Sequence, residues 1–292
     1  MRFGILPPVS AGVCGDPDWM RGFAQHAERC GFESIVVVEH AVVVSPTKSR
    51  YPYAASGRMP LPDDCSIPDP LDLLAFLAAA TSTIGLATGV LVLPNHHPVV
   101  LAKRAATVDA LSGGRLRLVV GVGWMREEVE ACGADFGTRG RRVDESIDAM
   151  RTLWAAGSEG ASFESTMFAF ANAHSHPKPT QRDGIAIHIG GHSLAAARRA
   201  GRRGDGLQPL GVAGDQLQEL VDEMRAEAER SGRDLDALEL TLGGLVARTD
   251  DEAVAAAEHV GADRMVLSPT SSADLGQVCD ELSEFAERVR LV

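Results

Sequence analysis

Residues 83–124, TIGLATGVLVLPNHHPVVLAKRAATVDALSGGRLRLVVGVGW, are the stretch that decides the fold of this chain. Residues 84–92 form a β-branched, apolar run, which is typical of a fully buried parallel strand. Pro98 suits the first position of a helix, and Gly113 suits its end. Residues 116–122 form a second buried run. The order strand, helix, strand therefore predicts a parallel βαβ unit.

Composition and charge limit the classes of protein that the chain can represent. Its 292 residues are 45% hydrophobic, which is enough for a large core, and its five cysteines are scattered without a Cys-x-x-Cys pair. This cysteine usage predicts a reducing, cytoplasmic location with neither a disulfide framework nor a zinc knuckle. The formal charge of −12 argues against nucleic acid or an anionic membrane as a partner. We expect no membrane span, because no apolar run reaches the roughly 18 residues that a span needs, and no signal peptide, because residues 1–6 lead directly into a strand.

The alternation of strand and helix continues along the whole chain. Apolar runs predict eight strands, at residues 2–6, 34–38, 84–92, 116–122, 185–189, 206–210, 238–246 and 264–267. Helical patterns follow them, at residues 17–30, 69–81, 98–112, 141–156, 193–204, 215–230, 249–260 and 272–290, the seventh opened by a capping box of Thr249 and Glu252. Eight alternations predict a single (β/α)8 TIM-barrel domain over residues 1–292 rather than an open, doubly wound α/β sheet.

Two segments interrupt this alternation, one after the second strand and one after the fourth helix. Residues 41–67 contain both tyrosines of the chain, Tyr51 and Tyr53. A loop of this length in a compact domain usually has a function, so we expect it to act as a lid over a substrate. Residues 157–181 place phenylalanines among small polar residues, and we expect a hairpin-like insertion there rather than a separate domain.

Polar side chains follow several predicted strands at their carboxyl ends, where ligands bind in this fold. Glu39 and His40 end the second strand. The imidazole of His40 could orient a ligand or move a proton, or it could simply cap or pack against a helix. The same edge also carries Asn95, His96, Trp124, Glu127 and Glu128. An aromatic ring with converging polar groups suits a flat heterocyclic ligand.

Two segments are candidates for binding an anion. Gly190, Gly191, His192 and Ser193 follow the fifth strand and open a helix, whose free N–H groups attract negative charge. The two glycines are equally compatible with a tight strand-to-helix turn. Residues 268–272, Ser-Pro-Thr-Ser-Ser, follow the eighth strand, and many barrels bind phosphate near strands seven and eight. The residues of these two segments do not decide which of them binds an anion.

The nine histidines do not form a metal-binding pattern. A metal-dependent hydrolase barrel would place two ligating histidines at the end of the first strand, where residues 6–8 read Leu-Pro-Pro. His174 and His176 have a suitable spacing but lie in the insertion. We therefore expect no metal site.

Motifs spread over most of the chain resemble the bacterial luciferase-like oxidoreductase superfamily, particularly its branch that uses the deazaflavin coenzyme F420. The motifs are AERCGFESIVVVEH (27–40), DPLDLLAFLAAAT (69–81), the stretch 86–124, the Phe-rich segment that ends in HPKP (176–179), IHIGGHS (187–193) and RRGDGLQPL (202–210). Their order and spacing carry the resemblance, which implies the same barrel fold.

The resemblance implies a flavin or deazaflavin lying across the strand ends, with His40 beside the redox-active ring. Thr88, Gly89 and Val90 would form a bulge that supports one face of the ring, often through a non-proline cis peptide. Glu39 stands where the family more often has aspartate. Because the carboxylate is kept, we expect the site to be kept, with Glu39 and His40 as its catalytic residues.

The resemblance also implies that the turn at 190–193 contacts the phosphate of the cofactor, which favours this segment over residues 268–272. Trp124 would contact the cofactor, and Glu127 and Glu128 would shape the opposite wall of the pocket.

The implied activity is hydride transfer between coenzyme F420 and a small organic substrate. The alternative is a monooxygenase that uses reduced FMN and oxygen. The fold and the phosphate-binding turn would be the same in both enzymes, so these features do not separate the two. A barrel that has lost catalysis and only binds a ligand is a third interpretation. Arg126, Lys103 and Arg104 would favour the oligoglutamate tail of coenzyme F420 if they lay at the pocket mouth. Relatives of this type commonly form dimers, so a homodimer is expected.

Overall fold

The computed structural model describes residues 1–291, which form eleven β-strands and nine α-helices. The strands are β1 (Arg2–Ile5), β2 (Ser34–Val37), β3 (Gly85–Thr88), β4 (Leu91–Val92), β5 (Leu116–Gly121), β6 (Ala161–Glu164), β7 (Ala169–Ala173), β8 (Ala186–Gly190), β9 (Gly206–Gln208), β10 (Glu239–Leu245) and β11 (Arg264–Ser268). The helices are α1 (Pro17–Arg29), α2 (Pro70–Ala80), α3 (Pro98–Ser112), α4 (Arg126–Ala131), α5 (Arg139–Ala155), α6 (Leu194–Arg203), α7 (Gly214–Arg230), α8 (Asp251–His259) and α9 (Leu275–Val289). None of these helices is both long and apolar enough to cross a membrane.

Eight parallel strand positions close into a barrel. The hydrogen-bonded order is β3, β2, β1, β11, β10, β9, β8 and β5, and pairing of β3 with β5, at Leu86 and Leu116, closes the ring. β4 continues the third strand position and also pairs with β5. The (β/α)8 prediction is therefore confirmed. The segment 157–181 contains the antiparallel pair β6 and β7, which is a sheet separate from the barrel.

Local side-chain chemistry sets several helix ends where the sequence indicated them. Asp16 and Asp69 each precede a proline, and each carboxylate accepts two N–H bonds from the first turn of α1 or α2. α3 begins at Pro98 and ends before Gly113, whose φ of 72° lies in the left-handed region that glycine adopts at low cost.

Three local predictions differ from the structure. The third strand is interrupted between β3 and β4, and the short helix α4 was not predicted. The capping box is wrong: Asp250 caps α8 by accepting the N–H of Ala253 at 2.9 Å. The buried hydroxyl of Thr249 instead donates to the carbonyl of Leu245, at the end of β10, at 2.9 Å and is therefore not available to cap the helix.

The main hydrophobic core lies between the strands and the helices that surround them. Phe285 of α9 illustrates it, since its ring lies 5.2 Å from Phe3 of β1 and 5.7 Å from Phe32, measured between ring centroids. Burial of one such side chain contributes about 1.5–3 kcal/mol. This packing fixes the strands and leaves their carboxyl ends free to form a site.

Five ionisable residues form a basal ion cluster around the amino-terminal halves of the strands: Glu33, Arg117, His188, Glu239 and Arg264. His188 and Arg264 are buried, and the two carboxylates are partly exposed. Arg264 donates to Glu33 at 3.0 Å and to Glu239 at 2.8 Å, and Arg117 donates to Glu33 at 2.8 Å. The sequence patterns did not indicate this cluster, because its members are far apart along the chain.

The cluster changes the ionisation of its members. Burial opposes the charge on Glu33, yet Arg117 and Arg264 lower the pKa of that carboxyl to about 2. Burial and the positive charge of Arg117 lower the pKa of His188 to about 3. His188 is therefore neutral in the folded chain at pH values where an unfolded histidine is already protonated.

We predict that His188→Gln makes stability less dependent on pH between 7 and 5. The folded-state pKa of His188 lies below its unfolded value, so the unfolded chain takes up a proton first and wild-type stability falls as pH decreases below about 6.5. Without the imidazole, the free energy of unfolding should lose a pH dependence on the order of 1 kcal/mol per pH unit. Urea unfolding at pH 7, 6 and 5 measures it, with His259→Gln on the exposed end of α8 as control. Equal slopes in wild type and His188→Gln would contradict the assignment.

Candidate active site

A cavity of about 960 Å³ opens at the carboxyl edge of the barrel. Every strand position of the barrel contributes to its lining. The barrel residues that line it are Leu6, Val38, Glu39, His40, Gly89, Val90, Val92, Gly121–Trp124, Gly190–Ser193, Gln208–Leu210, Gly243–Leu245, Val266 and Ser268. Residues 50–53 of the long loop and the amino-terminal halves of α5 and α6 complete it. This is the edge at which (β/α)8 barrels bind their ligands.

The floor of the cavity is the break in the third strand. The peptide bond between Gly89 and Val90 is cis, as the resemblance led us to expect. The side chain of Val90 packs over Gly121 and Gly190, where a β-carbon at Gly121 would lie 2.8 Å from Val90 Cγ2 and one at Gly190 would overlap Val90 Cγ1. A β-carbon at Gly89 would overlap Val36. The absence of three side chains therefore leaves the space that Val90 and Val36 occupy beside the interrupted strand.

Glu39, which the sequence predicted to be catalytic, holds the segment that follows the break. The residue is 5% exposed. One oxygen accepts the N–H of Val92 in β4, and the other lies 2.6 Å from Nε2 of His96. With both oxygens bound in this way, we assign Glu39 a positioning role rather than direct catalysis.

Glu128 holds the side chain of His40 in place, as Glu39 holds the segment after the break. It is 1% exposed and lies behind His40, outside the cavity lining, so it does not shape the pocket wall as predicted. Its carboxylate accepts the N–H of Ala41 at 2.7 Å and lies 3.0 Å from Nδ1 of His40. An acceptor at this position fixes the proton on Nδ1, so Nε2 is the nitrogen that is available to a ligand.

The predicted lid contributes to a row of aromatic rings along the cavity. His40, Trp124, Tyr51, Tyr53 and His192 follow one another at centroid distances of 6.2, 5.2, 5.4 and 5.1 Å, all edge to face. The row runs from the end of β2 to the turn after β8. Burial raises the pKa of both tyrosines, so their phenols stay neutral at physiological pH.

The loop is held in place by Glu127, which was predicted to form part of the pocket wall. The carboxylate of Glu127 accepts the N–H groups of Lys48 and Ser49 and, at 2.7 Å, the hydroxyl of Ser49. The hydroxyl hydrogen bond from Ser49 is the main reason that the pKa of Glu127 is lowered to about 2. Glu127 therefore ties the amino-terminal part of the loop to α4.

The turn at 190–193 has the features of an anion site. Gly191 has a φ of 138°, a conformation that side-chain-bearing residues rarely adopt, and Ser193 caps α6 by accepting the N–H of Ala196. The backbone N–H groups at the start of α6 lie next to this turn and favour negative charge.

Two arginines that the sequence analysis did not single out line the same end of the cavity. Arg199 is compensated by Asp144, at 2.5 Å. Arg139 stacks on Phe136, with its Cζ 3.7 Å from the ring centroid, and its Nε is buried without a hydrogen-bond partner. The run of arginines at the start of α5 was the available signal for Arg139.

The basic residues that we expected at the pocket mouth lie elsewhere. Arg104 pairs with Asp69 and Asp72, Arg126 pairs with Glu130, and Lys103 donates to the carbonyl of His176. None of the three lines the cavity. They are surface residues on α3 and α4 because those helix faces point away from the strand ends.

Two other predicted ligand contacts do not reach the cavity. Thr88 is fully buried, and its hydroxyl donates to the carbonyl of Val119 and accepts the N–H of the same residue, so it joins β3 to β5. Of residues 268–272, only Ser268, the last residue of β11, lines the cavity, and the N–H of Thr270 is bound by Glu281 on α9. Within residues 1–291, no group of three or more His, Cys, Asp or Glu residues is arranged to hold a metal ion.

Comparison with known proteins decides the family. A model of the luciferase-like monooxygenase family matches residues 1–288. The chain belongs to this family. An uncharacterized protein of Mycobacterium tuberculosis is 34% identical over 214 residues, 72% of this chain and 74% of the relative. The family is one of oxidoreductases and monooxygenases.

Members of the family use different cofactors. The chain is 29% identical over 251 residues to an FMNH2-dependent dimethylsulfone monooxygenase of Pseudomonas putida, 85% of this chain and 63% of the relative. It is also 29% identical over 215 residues to an F420-dependent glucose-6-phosphate dehydrogenase of Segniliparus rotundus, 71% of this chain and 58% of the relative. The fold is that of an F420-dependent secondary alcohol dehydrogenase solved with an F420-acetone adduct (TM-score 0.79, 18% identity, 100% of this chain and 98% of that one).

We predict that Gly190→Ala destabilises the protein through Val90. The new β-carbon would overlap Val90 Cγ1, and overpacking of this kind costs about 1–3 kcal/mol. Val90→Ala removes the overlapping methyl, so the double variant should recover part of the loss. Urea unfolding of both single variants and the double variant measures the coupling. Gly157→Ala is the control, because a β-carbon at Gly157 meets nothing within 4 Å. If the destabilisation of the double variant equals the sum for the two single variants, Val90 does not cause the loss and the prediction is wrong.

Proposed function

We propose that this protein is an oxidoreductase that transfers a hydride between coenzyme F420 and a small organic substrate. The observation that carries the proposal is a cavity that lies over the break in the third strand and whose lining contains more basic than acidic side chains. Glu39 is the one acidic residue in the lining, whereas Arg50, Arg139 and Arg199 line it. These cations stand out because the chain as a whole has a formal charge of −12.

The residues of the cavity fit a flavin-like ring. Buried polar groups are nearly always hydrogen-bonded, yet Gln208 Oε1, His192 Nδ1 and Arg139 Nε are buried without partners among residues 1–291. All three residues line the cavity. Gln208 Nε2 would lie 3.8 Å from a β-carbon at Gly89, so this amide is next to the floor, where it can bond the polar edge of a heterocycle. A cavity of about 960 Å³ has room for such a ring and a small substrate.

The charges of the cavity fit an extended anionic coenzyme. The turn at 190–193 and Arg139 would hold a phosphate. Arg50, from the loop, makes no salt bridge within the described part of the chain. FMN carries a single phosphate, whereas coenzyme F420 adds an oligoglutamate tail. A second uncompensated cation therefore favours coenzyme F420.

A bound deazaflavin supplies a ring carbon that accepts or donates a hydride and that replaces the oxygen-reactive nitrogen of a flavin. The residues of the chain transfer the proton and keep water out of the cavity. Because Glu128 keeps the proton of His40 on Nδ1, Nε2 can accept the proton that a substrate hydroxyl releases on oxidation and can return it on reduction. Tyr51 and Tyr53 cover the cavity and reduce access of water.

The alternative function is an FMN-dependent monooxygenase that uses reduced flavin and oxygen. It is favoured by the alignment with the Pseudomonas putida enzyme, which extends over more of this chain than the alignment with the F420-dependent glucose-6-phosphate dehydrogenase. The same floor and the same phosphate end would serve FMN.

We predict that coenzyme F420 binds more tightly than FMN. Titration of the purified protein, followed by coenzyme fluorescence, measures both dissociation constants. Arg139→Gln should weaken both coenzymes about 10-fold, the scale of one charge-assisted bond, whereas Arg50→Gln should weaken only coenzyme F420. Arg230→Gln, which removes a surface ion pair on α7 outside the cavity, is the matched control and should change neither. Tight FMN binding without detectable binding of coenzyme F420 would reject the proposal in favour of the monooxygenase.

We predict that Glu128→Gln lowers kcat while the affinity for coenzyme stays within a few-fold. The amide can no longer accept the Nδ1 proton with a full negative charge, so Nε2 loses basicity, and such general-base effects are about 100-fold or more. Steady-state kinetics together with the coenzyme titration separate the two effects. Glu130→Gln on the same helix, whose carboxylate pairs only with Arg126, should leave both quantities unchanged. Unaltered kcat in Glu128→Gln would remove His40 from the mechanism.

A further inference from the structure

Charge is distributed unevenly around the cavity. The ionisable lining residues come from β2, the loop, the turn after β8 and the helices α5 and α6. The lining that follows β9, β10, β11 and β1 forms a continuous apolar arc without any ionisable side chain. Its aliphatic side chains include Leu6, Leu210, Leu245 and Val266, and its polar member Ser268 is uncharged. Gln208, next to the floor, borders the arc and is left to the coenzyme ring.

The apolar arc continues to the surface. Tyr53, Leu210 and Leu245 are 37%, 47% and 45% exposed, and all three line the cavity. Tyr53 Cδ1 lies 3.7 Å from the β-carbon position of Gly211, so the lid tyrosine meets the segment that follows Leu210. Large side chains held exposed at a concave site mark a surface that binds an apolar partner or ligand.

Gly243 keeps this part of the cavity open. Its φ lies outside the left-handed region, so its backbone does not require glycine. A β-carbon at this position would meet only Leu210 Cδ1, at 3.5 Å, which is ordinary contact. The neighbouring Gly244 differs, because a β-carbon there would lie 2.8 Å from Leu267. Packing therefore explains Gly244, whereas space inside the cavity explains Gly243.

We propose that the apolar arc is the substrate site and that it takes an uncharged, predominantly apolar organic molecule, with Gly243 limiting its size. The inference rests on the proposed function in assuming that the basic end holds the coenzyme. The coenzyme then fills the only strongly charged part of the lining, and a substrate carboxylate or phosphate placed on the arc would have no counter-charge. Binding of a neutral, apolar molecule is favourable because it removes the exposed side chains of Leu210 and Leu245 from water.

The test uses Nile red, a neutral apolar dye, with the purified 292-residue chain. Its fluorescence rises on transfer to an apolar site, so a titration gives the dissociation constant. A matched pair of competitors then reports on charge: 4-tert-butylcyclohexanone is neutral, and 4-oxocyclohexanecarboxylate carries one negative charge. We expect the neutral ketone to displace the dye at a concentration at least 10-fold lower. Equal competition by the carboxylate would overturn the proposal.

Variants locate the site. Leu245→Glu and Gly243→Val should each weaken Nile red binding at least 10-fold, and the coenzyme dissociation constants should stay within 2-fold. Leu235→Glu is the control, because Leu235 is also an exposed leucine, 39%, but lies outside the cavity lining. Wild-type dye binding in both cavity variants would refute the assignment. A change in molar mass of Leu245→Glu by light scattering, without a change in dye binding, would make the rim an interface between copies and refute it as well.

The coenzyme titration is a separate measurement, so the two proposals can fail independently. If the dye results are as expected and neither coenzyme binds, the apolar site remains and the proposed oxidoreductase function is wrong. If coenzyme F420 binds and the dye results fail, the function remains and the substrate class is wrong.

Discussion

The break in the third barrel strand is the constraint on which the rest of the site depends. A continuous strand would carry side chains across the top of the barrel, whereas here the chain turns between Thr88 and Leu91, and Gly89 and Val90 line the floor of the cavity. The turn costs a backbone hydrogen-bond partner for β4, and the carboxylate of Glu39 supplies one by accepting the N–H of Val92. Glycines at the ends of β5 and β8 accept the displaced Val90 side chain. Floor, carboxylate and glycines therefore form one structural unit.

Two buried carboxylates hold the residues around this floor through the same types of contact. Glu39 and Glu128 each accept one main-chain N–H and each contact one imidazole, that of His96 and that of His40. A buried carboxylate is stable only where such partners are supplied, so each one fixes its neighbours strongly. Glu39 fixes the strand and Glu128 fixes the histidine tautomer. The acidic groups thereby set geometry, and the basic end of the cavity remains available for an anion. At the opposite end of the barrel, the basal ion cluster is self-compensated and binds strand to strand.

Regular features were predictable because they depend on neighbours in the sequence. Buried strands and the ends of α1, α2 and α3 follow from apolar runs, from aspartate or proline at helix starts and from glycine at the end of α3. Functional assignments at the strand ends were less secure. Glu127 and Glu128 were expected in the pocket wall, but α4 turns one toward the loop and the other toward His40. Thr88 was expected at the ligand, but side chains alternate along β3, and its hydroxyl joins the adjacent strand.

The sequence alone determined the alternation of eight strands and eight main helices, the turn at 190–193 and the family resemblance, since each is written in local patterns or in motif order. Only the tertiary structure decided which charges meet. Residues far apart in the chain, such as Tyr51 and Trp124 or Glu33 and Arg264, come together because barrel closure brings distant strand ends to the same edge. Side-chain direction at those edges depends on packing against these distant neighbours, and no local pattern encodes it.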